Sequence, residues 1–298
     1  MFRHHILEQI EHLHPEKDNE RIAFLSSAYD FPFDTQRAYE LALVRTFCVP
    51  RSSKLLVATK ELTERTQKRY DDTVILISTI GLHGYSSELG TRAIRRMNQL
   101  HGRYTIPNDE FLYVLSTFIY EPIRWNARFG WRPLHEHEKL AGFYFWREVG
   151  RRMGLVDLPE SYEAFEAYNV AYEREHFAYS PNNQLLADAT LDLFVSWVLP
   201  EWLPKRVRQP LADVGKDAAS SLMDLPMREA LGIPAPRSWV EKLVFKLLRY
   251  RAYAQHLLPP RRTPYILPPT RTYPEEVTLE AIGPAPAGKR GPRYGSAL

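Results

Sequence analysis

His101 is one of ten histidines in a chain of 298 residues, and it stands where an imidazole is unusual. Helical spacing over 87–103 puts Ile94, Met97, His101 and Tyr104 on one face at steps of three, four and three. Arg92, Arg95, Arg96, Asn98 and Gln99 take the opposite face. An imidazole pointing with an apolar stripe has two readings. It is a core histidine whose nitrogens find backbone or hydroxyl partners, or it is an axial ligand to an iron porphyrin, which needs a neutral imidazole in an apolar wall. The preceding segment bears on that choice. Arg69 and Thr73 are four residues apart and share a helix face, followed by the apolar run Val74, Ile75, Leu76, Ile77 and Ile80. The connection Gly81 to Ser86 is short, so the two helices are expected to be antiparallel neighbours. At 1.5 Å per residue the chain climbs about 18 Å from Arg69 to Gly81 and returns about 21 Å from Ser87 to His101. A cation, a hydroxyl and an imidazole then reach nearly one height and can converge on one apolar cavity. The structural alternative for Arg69 is a salt bridge to Asp72 or Glu64, and for Thr73 an ordinary place on the helix surface.

The elements that must position these groups are helices. Strand signals are nearly absent, and apolar residues recur at three-to-four spacing between Pro and Gly punctuation, which predicts an all-α fold. The pattern predicts a helix over 35–47, capped by Asp34 and stopped before Pro50. Others are expected near 66–80, 87–103, 110–128, 136–153, 160–178, 182–199, 216–231 and 237–257. Asn108 and Asp109 are cap candidates for the helix after them, and Gly154 follows Arg151 and Arg152 as a terminating glycine. Pro122 predicts a kink or break inside its helix.

Composition excludes several classes. With 44% hydrophobic and 25% charged residues the chain is an ordinary globular protein, not a disordered one. Residues 259–298 carry six basic and three acidic side chains, so the whole net charge of +3 lies there and residues 1–258 are neutral overall. That gives no reason to expect nucleic-acid binding. One cysteine, Cys48, excludes a disulfide framework and a paired-cysteine zinc site, and is expected to be a small buried hydrophobe. No apolar run is long enough to span a bilayer and the N-terminus has no signal-peptide pattern, so the expectation is a soluble, cytoplasmic protein. Phosphate-binding glycine loops, the G-x-S-x-G elbow, H-E-x-x-H and EF-hand loops are all missing.

The ordered set Arg69-Tyr-Asp-Asp-Thr73 and, about thirty residues on, Ala93-Ile-Arg-Arg-Met-Asn-Gln-Leu-His101 resembles the superfamily of rubber oxygenases (latex-clearing proteins) and oxygenases of the mycophenolic-acid pathway. The resemblance extends through Asp30-Phe-Pro-Phe-Asp34, Phe118-Ile-Tyr-Glu-Pro-Ile-Arg-Trp125 and Tyr144-Phe-Trp-Arg-Glu-Val-Gly150, and covers most of residues 20–260. It implies an all-α fold around haem b, with His101 as the proximal iron ligand and Arg69 and Thr73 on the distal side. It also implies dioxygen as co-substrate, a lipophilic and isoprenoid-like olefin as substrate, and an electron donor of unknown identity. One position departs: rubber oxygenases carry a lysine immediately before the threonine, whereas this chain has Asp72, with Lys68 the nearest lysine. The rival readings are a haem protein that binds gas without turnover, and a cofactor-free helical interaction protein.

Other features carry weaker expectations. His135-Glu-His137-Glu138 is read as a solvated helix start, with His176 the only distant histidine that could complete a metal site. Phe143, Tyr144, Phe145 and Trp146 are read as deep core. Trp197 and Trp202, flanking Val198, are read as ordinary packing, with transient membrane contact as the alternative. Nine of the 23 prolines fall in residues 259–298, where apolar periodicity stops. This segment is expected to be an extended or disordered tail outside a single domain of residues 1–258, and its removal from Arg271 onward to leave that domain intact.

Overall fold

The computed structural model describes residues 4–284 apart from 201, 268 and 276, and among the described residues it is all α-helical, with no strand. The chain forms α1 (His5–Glu11), α2 (Asn19–Leu25), a π-helical turn at Ser26–Asp30, α3 (Pro32–Thr46), α4 (Pro50–Ala58) and α5 (Glu61–Glu64). It continues through α6 (Thr66–His83), α7 (Glu88–His101), α8 (Asn108–Phe129), α9 (Glu136–Met153) and α10 (Tyr162–His176). The series ends with α11 (Pro181–Ser196), α12 (Lys205–Ser220), α13 (Leu225–Leu231) and α14 (Ser238–Leu257). None of these helices is long and apolar enough to cross a membrane.

The helix α8 is the axis of the molecule. It packs along α3 on one side and against α9 and α10 on others. It buries Leu115, Phe118, Ile119 and Tyr120 in a core shared with Phe143, Phe145 and Trp146 of α9, the aromatic row read as core. The break expected at Pro122 does not occur, because residues on both sides of it, Tyr120, Glu121 and Trp125, are held by burial. The Asn126 amide donates to the Pro122 carbonyl at 2.8 Å. Asn108 and Asp109 lie inside the first turn rather than capping it. The Asn108 side chain instead ties the backbone of Val156 through two bonds of 3.0 Å. Gly154 ends α9 at φ 84°, as its place after the basic residues predicts.

Asp34 is not a cap either. Pro32 opens α3 with its fixed φ, and the Asp34 carboxylate is fully buried, accepting from Trp125 Nε1 at 2.8 Å and from Arg251 at 2.6 and 2.9 Å. Pro50, read as a stop, is the first residue of α4. The helix expected near 216–231 is two helices: Asp224 accepts from Met227 N at 3.0 Å and starts α13 afresh. Glu138 is buried rather than solvated. Its carboxylate takes the His135 backbone N–H at 2.7 Å and pairs with Arg132 at 2.6 Å, closing a capping box.

The hairpin of α6 and α7 carries Arg69, Thr73 and His101. Its turn is tight: Ser87 caps α7 through Gly90 N at 2.9 Å, and Gly84 adopts φ 80°. A Cβ on Gly90 would stand 1.8 Å from the Gly84 carbonyl oxygen, so only glycine allows this approach. On α7, Ile94 and Met97 are buried as the periodicity predicts, while Tyr104 falls beyond the helix end in the exposed turn.

After α14 the described residues, up to 284, run without regular structure except a 3-10 turn at Leu279–Ala281, and the rest of the expected tail lies outside the described residues. It is nevertheless built into the core. Leu279 and Ile282 are buried against α6 and α7, and Arg96 donates to the Ile282 carbonyl at 2.9 Å. Removing Arg271–Leu298 would strip both side chains from the core, each worth about 1.5–3 kcal/mol, so that truncation is expected to destabilise the body. No local pattern announces this, because two apolar residues in a proline-rich stretch have no period.

Candidate functional site

The hairpin brings the three expected side chains together. Arg69 Nη1 donates to Thr73 Oγ1 one turn on, and Thr73 Oγ1 donates to the Arg69 carbonyl at 2.9 Å. Thr73 thus fixes the guanidinium through a closed local pair of bonds. The salt bridges considered for Arg69 are not made: Asp72 pairs with Lys68 at 2.7 Å, Glu64 with Lys60 at 3.2 Å, and Glu61 with Arg65. Among the described residues no carboxylate forms an ion pair with Arg69. Burial lowers its pKa, opposed only by the more distant charges of Asp72 and Glu61 and by Tyr104.

His101, at the end of α7, lies within range of this cation's charge. Burial first, and the charge of Arg69 second, push its pKa down to about 4, so the imidazole is neutral at physiological pH. Its Nδ1 is buried and has no hydrogen-bond partner. Phe111 of α8 packs beside the ring at 5.2 Å between centroids. The core-histidine reading required partners for these nitrogens, and the described residues offer none. Both Arg69 and His101 are half-buried. A neutral imidazole with an unused lone pair, set in apolar surroundings opposite an uncompensated cation, fits the donor requirements of an iron porphyrin.

Thr73 also lines an apolar cavity of about 100 Å³ between α3, α6 and α8, with Tyr39, Leu43, Val74, Ile77 and Phe118 among its walls. Engineered cavities of about 150 Å³ accept benzene, so this space is on the scale of one small apolar group. Two features here were not legible in the sequence. Glu40 lines the cavity, and its carboxyl is pushed up by burial against the opposing charge of Arg37. Tyr70 donates to it at 2.6 Å. Tyr265 and Leu267, from the segment after α14, close another side, with Tyr265 N donating to the Ala28 carbonyl of the π-helical turn at 2.8 Å. Neither contact has a local spacing, since Glu40 precedes Tyr70 by 30 residues.

Asp72 has a defined task. Its carboxylate accepts from Lys68 at 2.7 Å, from Tyr273 OH at 2.7 Å and from Gly283 N at 3.2 Å, while Lys68 also donates to the Gly283 carbonyl at 2.6 Å. Asp71 holds Thr272 N at 2.8 Å. The position of the rubber-oxygenase lysine therefore anchors the C-terminal segment across α6, and Lys68 is committed to the same anchor. Other residues of the resembling stretches are also structural: Asp30 pairs with Arg132 at 2.7 Å, and Glu121 with Arg45 at 2.8 Å. Among the described residues no group of histidine, cysteine or carboxylate side chains could hold a bare metal ion. Trp197 packs on Tyr70 at 4.8 Å between centroids, whereas Trp202 is 79% exposed. Cys48 is buried, and its burial pushes the thiol pKa up.

Comparison with known proteins gives the same grouping. A family model described as "ER-bound oxygenase mpaB/B'/Rubber oxygenase, catalytic domain" matches residues 50–255. The "ER-bound oxygenase mpaB'" of Penicillium brevicompactum is 29% identical over 252 residues, 78% of this chain and 57% of that protein. The "ER-bound oxygenase mpaB" of Penicillium roqueforti (strain FM164) is 30% identical over 221 residues, 68% of this chain and 71% of that one. The chain thus spans little more than half the length of the first of these relatives. Among solved structures, latex clearing protein LCP in the closed state superposes with a TM-score of 0.52 at 14% identity, over 85% of this chain and 72% of that one. At that identity the superposition speaks for the fold alone.

Proposed function

The chain belongs to the family of mpaB-type and rubber oxygenase catalytic domains, and from that premise we propose that it is a haem b-dependent oxygenase acting with dioxygen on a lipophilic, olefinic substrate. The observation that carries this reading is the pairing of an uncompensated buried arginine, Arg69, with a neutral and unpartnered imidazole, His101. His101 would hold the haem through a ring nitrogen. When bound, the haem would supply the activation of dioxygen that no side chain in this set provides.

The remaining work falls to the chain itself. Arg69 holds a fixed positive charge in a poorly solvated site, where it stabilises negative charge developing during reaction without reorganising. Thr73 donates its hydroxyl proton to the Arg69 carbonyl and accepts from the guanidinium, so it orients the cation rather than offering a free donor. The apolar cavity beside Thr73 excludes water and accepts a hydrocarbon group of the substrate. Glu40 on the cavity wall is paired with Arg37 at 2.6 Å, while burial pushes its pKa up.

The test is an absorption spectrum followed by one substitution. The wild-type protein supplemented with haem is expected to show a Soret band and to consume oxygen with an isoprenoid olefin and a reductant. His101→Ala is expected to lose most of the bound haem while its helical circular dichroism survives. Absence of a Soret band in the wild type would favour a cofactor-free interaction protein. Haem binding without oxygen uptake would favour a gas-binding protein. Full haem retention with an unshifted spectrum in His101→Ala would remove His101 as the ligand.

A further inference from the structure

The helix α14 has two apolar faces, and among the described residues only one is covered. Its inner face places Phe245 and Leu248 against Ala38, Trp125 and Phe129, and Arg251 against the Asp34 carboxylate at 2.6 Å. Its outer face carries Trp239, Leu243, Leu247, Tyr250, Tyr253 and Leu257 at steps of four, four, three, three and four, a sector about 120° wide. These side chains are open to solvent, with Trp239 at 55%, Leu247 at 58%, Tyr250 at 70% and Leu257 at 72% exposure. Scattered exposed apolar residues are ordinary; six in one continuous helical stripe are not. The neighbouring α12, packed against α14, exposes Val207 and Leu211 at i, i+4 beside exposed Lys205 and Arg206.

Charge selects the occupant. Lys242 and Arg249 are exposed along one edge of the stripe and Lys246 is exposed just inside that edge, and among the described residues no carboxylate pairs with any of them. Glu241, the one acidic residue of α14, falls on the opposite side of the helix. A second copy of the chain meeting this face by a two-fold axis would set the same three cations against themselves with no acidic partner on the face. A surface that is apolar at its centre and negative at its border fits without that conflict. We propose that the outer face of α14 docks in the plane of an anionic bilayer, with its aromatic and leucine side chains among the acyl chains and Lys242, Lys246 and Arg249 at the level of the phosphates. Tyr and Trp suit that depth, since each has an apolar body and a polar tip. This docking is independent of the haem reading and can fail without affecting it.

Vesicle flotation of the full chain tests the proposal. The wild type is expected to float with vesicles of phosphatidylcholine containing about 30% phosphatidylserine, and far less with phosphatidylcholine alone. Combining Lys242→Gln, Lys246→Gln and Arg249→Gln is expected to lower partitioning onto the anionic vesicles by roughly 10²-fold, from three cations near the surface. Leu247→Asp is expected to abolish flotation while helical circular dichroism is unchanged. Acyl-chain bromination of the same lipids reads the face without relying on any variant's flotation: it is expected to quench part of the wild-type tryptophan fluorescence, and Trp239→Phe to remove that part. A wild type that stays unbound, a triple variant that floats as well as the wild type, or fluorescence untouched by brominated chains would overturn the proposal. So would a wild-type dimer in light scattering that Leu247→Asp dissociates, because the face would then belong to a second copy.

Discussion

Three arginines reach into this molecule under opposite conditions, two of them buried and Arg69 half-buried. Arg45 is 5% exposed and meets three carboxylates: Glu121 at 2.8 Å, Glu173 at 3.2 Å and Asp224. Arg132 is 8% exposed and meets Asp30 at 2.7 Å and Glu138 at 2.6 Å. Among the described residues Arg69 has no carboxylate partner, and its guanidinium bonds a threonine hydroxyl of its own helix. The first two join distant segments, for the partners of Arg45 lie 76 to 179 residues along the chain. Their acidic neighbours raise the pKa of each, whereas burial lowers that of Arg69. A buried cation with its counter-charges in place is a structural fastening. A buried cation without them is stable only where the site gains a negative charge from elsewhere, which is what a bound anion or a reacting oxygen supplies.

The sharpest way to break this contrast is to remove one of each kind. Arg45→Met leaves Glu121 and Glu173 facing each other in the core and is expected to cost on the order of 3–5 kcal/mol, read as a lower urea midpoint. Arg69→Met is expected to leave that midpoint unchanged or raise it, and an equal loss in both variants would erase the distinction.

The second expectation concerns pH in the haem-free protein. The unfolded chain titrates His101 near 6.5 and the folded one near 4, so the unfolded state binds the proton first as pH falls. The contribution is fully present above about pH 6.5, declines down to about pH 4 and is absent below, amounting to about 3 kcal/mol. His101→Leu is expected to flatten this part of the stability profile measured by urea unfolding between pH 7 and pH 4. Identical profiles would mean that the imidazole is not held neutral.

Catalysis gives the third. Arg69→Ala is expected to keep its haem and lower oxygen uptake per haem by roughly 10²-fold, or about 2.7 kcal/mol of barrier. An unchanged rate would reduce Arg69 to a packing residue. The smallest effect is expected at the anchor beside the site. Tyr273→Phe removes one bond to the buried Asp72 carboxylate and should cost about 1.5 kcal/mol, seen as faster proteolytic cleavage after α14. Unchanged protection would place the hold of that segment in Ile282 and Leu279 instead.

The helices over 66–83, 88–101, 136–153 and 238–257 follow from spacing along the chain, because the helical period is local and a side chain's face is set by neighbours three and four residues away. The same locality put Arg69 beside Thr73 and turned His101 toward the apolar face of α7. The tertiary structure decided everything that depends on charges meeting across long separations. It sent Asp34 to Trp125 and Arg251, Glu138 to Arg132 and Asp72 to Tyr273 and Gly283, and it thereby left Arg69 alone. It also drew Ile282 into the core from a segment with no period, and left the outer stripe of α14 uncovered. A sequence states which residues can pair or be buried. Which carboxylate reaches which cation, and which apolar face finds a partner, is fixed only when the whole chain competes for the same interior.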